Sequence, residues 1–418
     1  MSRLRTFHSL GTRNYRLFAA GQVVSNSGTW MQRVAQDWLV LELTHGSGTA
    51  LGIATGLQFL PLLLFSLWGG AIADRYSKRR ILMITQTFMG VLALILGVLA
   101  VTGAVRIWQV YALAFALGLA TVVDNPTRQT FVVEMVGPAD LPNAIALNSA
   151  IFNLARIVGP ALAGLVIGTV GTPAAFFVNA ASFGAVLTGL KLMRPGELNP
   201  VVPVPRSKGQ LREALRYVKD RPSLSMPMVL IFFVATFGMN FQVTNALMSR
   251  QLFHTGATAF GLASAVFAAG GLAGALLAAR RGRPGIRLLV TAAFAFGILE
   301  VVTGLMPSFW SFLVLLVPTG LVLLTFNTAA NSATQLGTSP EMRGRVMGLY
   351  MLVFLGGTPL GSPLVGWVAE VFGPRMSLVA GGAISAAAAA VIGLLLAHRR
   401  GVGAREYLRP AALARMVI

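Results

Sequence analysis

Apolar residues along this chain gather into about twelve runs, near 17–43, 49–73, 81–102, 108–127, 142–170, 174–193, 224–250, 259–279, 287–306, 310–333, 346–371 and 376–397, with short polar turns between them. A helix of about 20 mostly apolar residues crosses the hydrocarbon core of a bilayer, and each run reaches or approaches that length. A backbone in lipid must satisfy its own polar groups, so runs of this kind predict helices. The first run follows a basic arm (Arg3, Arg5, Arg13, Arg16), is longer than a signal-peptide core and has no small-residue cleavage site after it, so it is expected to stay in the protein.

Lys and Arg in short loops mark the cytoplasmic side of a membrane protein. With the N-terminus inside, that side collects the N-terminal arm, Arg75, Lys78, Arg79 and Arg80, Arg128, the basic residues of the long polar interval, Arg280–Arg287, Arg343 and Arg345, and the tail. Only Arg106, Arg250 and Arg375 fall on the opposite face, while Arg33 and Arg156 lie inside runs. Both termini are therefore expected in the cytoplasm of a multi-pass protein of the cytoplasmic membrane.

The polar interval opens with Pro195, Pro200, Pro203 and Pro205, which resist regular structure, and it divides the runs six against six. The expected organisation is an N-terminal bundle (1–193), a cytoplasmic linker (194–223), a C-terminal bundle (224–397) and a basic tail (398–418). Within the linker, Leu211, Leu215 and Val218 recur among Arg212, Arg216 and Lys219. That spacing fits either a short amphipathic helix on the anionic inner leaflet or a solvated linker with a nascent helix.

Composition narrows the class. Of 418 residues 55% are apolar and 11% charged, where a soluble chain carries roughly 25% charged. Mean hydropathy over the whole length is +0.73, a membrane value. The absence of cysteine excludes disulfides, thiolate metal sites and a cysteine nucleophile, and four scattered histidines leave little for zinc. The net charge of +20 does not cluster on a soluble domain, so it reads as topology and not as a nucleic-acid footprint. No G-x-x-x-x-G-K-[ST] loop is present, so ATP hydrolysis, and with it any bound cofactor, is not expected.

A shift of 202 residues sets Leu162-Ala-Gly-Leu-Val166, ending at Gly171, over Leu364-Val-Gly-Trp-Val368, ending at Gly373, and pairs Pro138 with Pro340 and Leu147 with Leu349. Gly69-Gly70 before the first basic turn has a counterpart in Gly270-Gly271 and Gly274 before Arg280-Arg281. The matches favour a parallel duplication of a six-helix unit.

The first basic turn reads Gly70-Ala-Ile-Ala-Asp74-Arg75-Tyr76-Ser77-Lys78-Arg79-Arg80. It resembles the signature loop of the major facilitator superfamily, with Ser77 and Lys78 departing from the preferred glycine and arginine. The fifth run carries Asn153-Leu-Ala-Arg156-Ile-Val-Gly159-Pro160-Ala-Leu-Ala-Gly164, which looks like the helix-five Gly-Pro element of the superfamily's antiporters, with Ala163 in place of one closing glycine. Ser25-Asn-Ser-Gly28 through Arg33-Val-Ala, Gly118 through Asp124-Asn-Pro126-Thr-Arg128, and Leu141-Pro-Asn143 through Asn148 resemble the branch of enterobactin exporters and macrolide efflux proteins. The fourth-helix arginine of proton-coupled exporters is missing, because Val110 to Gly118 is apolar throughout.

The resemblance implies an all-α membrane protein with twelve transmembrane helices in two pseudo-symmetric six-helix bundles, the major facilitator fold. It implies that Gly70, Asp74, Arg75, Lys78 and Arg79, with Asp124 as a fourth-helix partner, latch one transport state, against the alternative that they only fix topology. Gly159, Pro160 and Gly164 are the antiporter element.

Charges at membrane depth cost at least about 2.5–3.5 kcal/mol each, so each demands an explanation. Arg156, near the middle of its run, stays protonated at accessible pH and is read as a fixed charge facing a watery cavity, where it attracts an anionic or polar group, or else as half of a structural ion pair. Arg33 and Asp37 stand at i and i+4 on the first run; Asp37 is the better candidate for carrying a proton, the alternative being a static pair. Glu300 has no basic residue one turn away and is either a proton store or a structural hydrogen-bonding group. Gln22, Asn26, Gln58, Asn148, Asn153, Asn240, Asn245, Asn327 and Asn331 also fall within runs. In the family the first, fourth, seventh and tenth helices line the cavity, so Gln22, Asn26, Asn153, Asn240, Asn245, Asn327 and Asn331 join Arg156 as candidate substrate contacts, each equally readable as interhelical glue.

The expected function is a secondary transporter, not an enzyme. It exports a small amphipathic molecule, a drug-like compound or a siderophore, by alternating access and in exchange for protons, as a monomer in the bilayer and without nucleic acid. An uptake permease of the same fold is the alternative. A membrane-embedded enzyme would need a clustered catalytic group, and a channel or receptor a filter or signalling domain; the chain offers none.

Overall fold

The computed structural model describes residues 7–199, 210–279 and 285–399. Arg3 and Arg5 of the arm, Pro200, Pro203 and Pro205, Arg280, Arg281 and Arg283, and the tail beyond Arg399 lie outside the described residues.

The described residues form helices α1 (Arg13–Leu43), α2 (Gly48–Arg75), α3 (Lys78–Val101), α4 (Ile107–Val170), α5 (Thr172–Leu192), α6 (Gln210–Lys219), α7 (Pro222–Phe233), α8 (Phe241–Leu247), α9 (Ala257–Ala279), α10 (Ile286–Gly304), α11 (Phe309–Leu336), α12 (Pro340–Phe372) and α13 (Pro374–Arg399), with no strand among them. Among the described residues ten helical stretches are long and apolar enough to cross a bilayer. The fold is that of an all-α membrane protein.

The fourth and fifth predicted runs are two helical rods that meet at a kink and are together labelled α4. α4 spans 64 residues, enough for two crossings of a hydrocarbon core. It is broken at Gly137, whose φ of 70° lies in the left-handed region that favours glycine. Pro138 follows at the start of the second rod, a position where its missing N–H costs nothing. The sequence suggests a loop there with Arg128 in it; Arg128 is instead helical, on the first rod.

The duplication has a backbone counterpart. Pro340 opens α12 as Pro138 opens the second rod of α4, and Gly171 and Gly373, at φ 100° and 90°, end those two segments. Gly118 and Gly320 are the same 202 positions apart, and a methyl group on either would collide with backbone of the neighbouring helix, at Gln58 for Gly118 and at Phe267 for Gly320. Glycine is therefore needed at equivalent helix crossings in both halves.

The chain forms two compact units. One consists of the described residues within 1–206 together with Asn245–Ala265, and the other of Ser207–Thr244 with Val266–Ile418 over their described parts. In the first, α1 packs on α4 and α5, α2 on α4, and α3 on α5. Tyr15, Phe18, Leu82, Phe131, Met135 and Leu190 fill one end, and Met89, Leu92, Leu117 and Phe183 the middle. In the second, α10 packs on α11 and α13, and the Phe241 and Phe267 rings stack at 4.1 Å.

What the units leave outward is apolar. On α3, Ile84, Phe88, Val91, Ile95 and Val98 recur every three or four residues and are all exposed, the stripe expected where lipid is the solvent.

The linker segment contains a formed helix. α6 docks on α12 and α7 within the second unit, burying Ala214 and Val218, while Leu215 stays exposed. Glu213 accepts from Arg345 at 2.7 Å, and Tyr217 hydrogen-bonds Ser339 and carries the Arg221 guanidinium over its ring at 3.7 Å. The Ser339 hydrogen bonds, with the Arg221 charge, hold the Tyr217 phenol below its usual range.

Candidate functional site

In the first unit, the basic turn between α2 and α3 ends in a buried ion pair. Lys78 Nζ lies 2.7 Å from Glu134 Oε1 on α4, with side chains only 9% and 12% exposed. Arg79 donates to the carbonyls of Leu190 and Lys191 at the end of α5, tying α3 to α5. Gly70 is buried, Asp74 half-buried and Arg75 exposed. Asp124, expected to partner this turn, belongs to a separate network: it accepts from Thr85 Oγ1 and Gln86 Nε2, each at 2.8 Å, and from Arg128 one turn along α4. Glu134 is the partner of Lys78 in that turn.

Arg128 extends that second network to α1. Its guanidinium donates to Gln22 Oε1 at 2.5 Å and Asn26 Oδ1 at 3.0 Å. Two expected ligand contacts are thus joined by a cation, and any ligand that reaches them meets Arg128 as well. Further along α1, Gln32 accepts from Asn179 of α5 and Gln36 donates to Gln58 of α2, so this face of α1 is polar for most of its length.

Past that stretch lies the charged cluster. Trp30 on α1 has the Arg33 guanidinium carbon 4.5 Å and the Arg156 guanidinium carbon 5.4 Å from its ring centre. Phe59 of α2 faces Arg33 at 5.5 Å, and Phe152 meets Trp30 edge-on at 5.9 Å. Asp37, fully buried, attracts Arg33, whereas Arg156 repels it. Two sequence candidates from distant runs, Arg33 and Arg156, thus converge on one aromatic ring. Asn153 turns back to the Ser149 carbonyl of its own helix.

Local sequence explains the convergence. A methyl group on Gly159 would lie 2.5 Å from the Trp30 Cβ and 2.7 Å from the Ser27 carbonyl, so the glycine lets α4 rest against α1. Pro160 has no N–H for the carbonyl of Arg156 one turn back, which loosens the helix where the arginine sits. Beyond it, Gly164 packs on Ala257 and Thr258, and Thr258 Oγ1 donates to the Gly164 carbonyl at 2.9 Å. Still within this unit, a cavity of about 320 Å³ is bounded by Trp38, Glu42, Ile167, Gly171 and Thr172. Asn245, in the same unit but not among the residues bounding that cavity, is buried, and its Oδ1 has no hydrogen-bond partner.

In the second unit, Glu300 on α10 is buried in a slot walled by Gly238, Gly381 and Gly382, and its Oε2 accepts no hydrogen bond. The chain at Val234–Gly238 is a π-helical turn, a local widening common at functional sites. Asn240 donates to the Thr236 carbonyl and accepts from Ser362. Asn331 accepts from Gln335 and bonds Tyr350, and Asn327 is half-buried. Glu134, Phe59, Phe152 and the Arg128 bridge escape sequence reading. Glu134 alone carried a signal, being one of 13 acids in a strongly basic chain.

The fold and this polar, aromatic-lined interior define a polytopic membrane transporter. Residues 5–408 match the family of transmembrane secretion effectors, and the chain belongs to that family, a branch of the major facilitator superfamily. It is 26% identical to the staphyloferrin A transporter of Staphylococcus aureus over 83% of this chain and 87% of that one. It is 29% identical to the multidrug efflux pump Tap of Mycolicibacterium fortuitum over 87% and 90%, and 24% identical to macrolide efflux protein A of Streptococcus pyogenes over 85% and 89%. Among solved structures it resembles the nucleoside transporter NupG (TM-score 0.76, 12% identity, 91% and 99% covered) and a bacterial homolog of the lysosomal transporter Spinster in an inward-facing, unoccupied conformation (0.71, 16%, 94% and 97%). The chain is a multi-pass membrane transporter of the major facilitator superfamily and not an enzyme.

Proposed function

We propose that this chain exports a small amphipathic molecule across the cytoplasmic membrane, by alternating access and in exchange for protons. The observation that carries the reading is the charged cluster at Trp30, where the Arg156 guanidinium makes no hydrogen bond or ion pair among the described residues. A charge held at membrane depth against an aromatic ring, with no hydrogen bond or counter-ion among the described residues, is costly and therefore points to a hydrated path or a ligand. The efflux pumps and the siderophore transporter among its relatives support export of a compound of that size.

In this reading twelve crossings place both termini in the cytoplasm, and the monomer is the working unit. α4 supplies two crossings through its break at Gly137, and α1 supplies the one that Arg33, Asp37 and Glu42 make less apolar. Asp37 carries the proton, and its neighbour Arg33 responds to its charge. Glu300 is a second acid available for coupling. Gly70, Asp74, Arg75, Lys78 and Arg79, with Glu134 and Asp124, hold the cytoplasmic end in one state. Gly159, Pro160 and Gly164 govern packing at the other. Gln22, Asn26, Asn153, Asn240, Asn245, Asn327 and Asn331 are further substrate contacts.

The test is flux in proteoliposomes with an imposed pH gradient, using a panel of aromatic anions, neutrals and cations. Gradient-dependent movement of at least one compound out of the cytoplasm-equivalent side supports the reading; movement in the uptake direction replaces it with the permease.

A further inference from the structure

Arg33 and Arg156 share one indole. At 4.5 and 5.4 Å from the same ring centre, their guanidinium carbons are at most about 10 Å apart. The acid that acts on Arg33 is Asp37, one turn along α1, and it offsets only one of the two charges. Farther along, Glu42 accepts from Thr172, and Arg250 lies over Trp38 at 5.2 Å, so the surroundings add as much positive as negative charge. The pair therefore carries an excess of one positive charge in a region of low dielectric.

The hydrogen bonding is incomplete in the same place. Arg33 Nε is buried with no acceptor, and Arg156 makes no hydrogen bond or ion pair among the described residues. A guanidinium presents a planar fork of donors that fits a carboxylate at two points. Around it the walls are aromatic: Trp30, Phe59 and Phe152 offer ring faces and edges to an apolar body. Excess charge, unmet donors and flat apolar walls coincide in one small region.

We infer that Arg33, Trp30 and Arg156 form the recognition site for an anionic group on the cargo, and that the cargo is a small amphipathic anion, a carboxylate borne on a flat apolar body. This rests on the export reading for its biological meaning, but the site is testable without transport. It also gives Arg33 a second task. An anion that engages its guanidinium competes with Asp37 for the same charge, so loading of cargo is felt at the proposed proton carrier.

The experiment uses the full chain in nanodiscs and three probes of one skeleton: dansylglycine (anionic), dansylglycinamide (neutral) and dansyl-ethylenediamine (cationic). Binding is followed by dansyl fluorescence, with empty nanodiscs subtracted. The anion is expected to bind at least tenfold more tightly than the amide, and the cation most weakly. Arg33→Gln and Arg156→Gln should each cost about tenfold for the anion and several times less for the amide, while Arg156→Lys should retain most of the anion's advantage. A wild-type thermal unfolding midpoint in detergent certifies the fold of each variant; should a glutamine variant fail to fold, the three-probe ranking on the wild-type chain decides alone. Equal affinities, a preference for the cation, no saturable binding of the anion, or glutamine variants that bind the anion normally would overturn the inference. Flux measured separately keeps the two readings apart: export of neutral compounds with no anion preference sinks the site and spares the exporter. Tight anion binding with no gradient-driven flux does the reverse.

Discussion

Lys78 and Glu134 meet at 2.7 Å in a nearly dry setting, joining the basic turn of α3 to the first rod of α4. Breaking a buried pair by removing one partner strands the other's charge, at a cost of about 3–5 kcal/mol, whereas replacing both by apolar groups of similar volume is often neutral. Lys78→Met and Glu134→Leu are each expected to lower the thermal unfolding midpoint in detergent clearly, and the double variant less than either. A double variant as unstable as both singles combined would show that the two residues act independently.

Asp124 holds three donors, and Arg128 is the only charged one. Arg128→Met leaves a buried carboxylate with Thr85 and Gln86, while Asp124→Asn removes the charge itself and keeps the size. The first should therefore destabilise more, by about 1–3 kcal/mol. Chemical unfolding of the two variants side by side checks the order, and the reverse order contradicts the network as described.

The chain contains no cysteine, so an introduced pair can be read without background. A methyl group on Gly168 would lie 3.8 Å from the Thr258 Cβ, inside the range for a disulfide. Gly168→Cys with Thr258→Cys should cross-link under mild oxidant, seen as loss of maleimide labelling, and transport should stop until the bond is reduced. Cross-linking with undiminished transport would mean that this contact stays shut throughout the cycle.

How much of this was legible beforehand depends on the range of the signal. Helices, their approximate limits and the 202-residue repeat are local or periodic, and Pro138 with Pro340 and Gly171 with Gly373 mark the repeat in both sequence and backbone. The break between the fourth and fifth runs was legible, and the structure puts it at Gly137; that the helix continues up to it on both sides and takes in Arg128 was not. Arg33 and Arg156 were each conspicuous as charges among apolar residues, yet nothing in the chain said that Trp30 brings them together. That meeting depends on Gly159 letting two helices touch, a contact between positions about 130 residues apart. Glu134 was missed for the same reason: its partner, Lys78, lies 56 residues away.

Asp37 stands apart from Arg156 in the proposed division of labour. Asp37→Asn should abolish proton-driven export while ligand binding persists, an anionic ligand binding more tightly because Arg33 loses its competing carboxylate. Flux and binding measured on one preparation check this; normal gradient-driven flux would move the coupling role to another acid, Glu300 first.

The central claim, that this chain expels a small amphipathic compound at the expense of a proton gradient, is tested most directly by flux in proteoliposomes across an imposed pH difference. The account predicts that at least one compound of the panel moves faster with the gradient than without it, that an uncoupler erases the difference, and that Arg156→Ala reduces it. No gradient-dependent movement of any compound by the folded wild-type protein would contradict it.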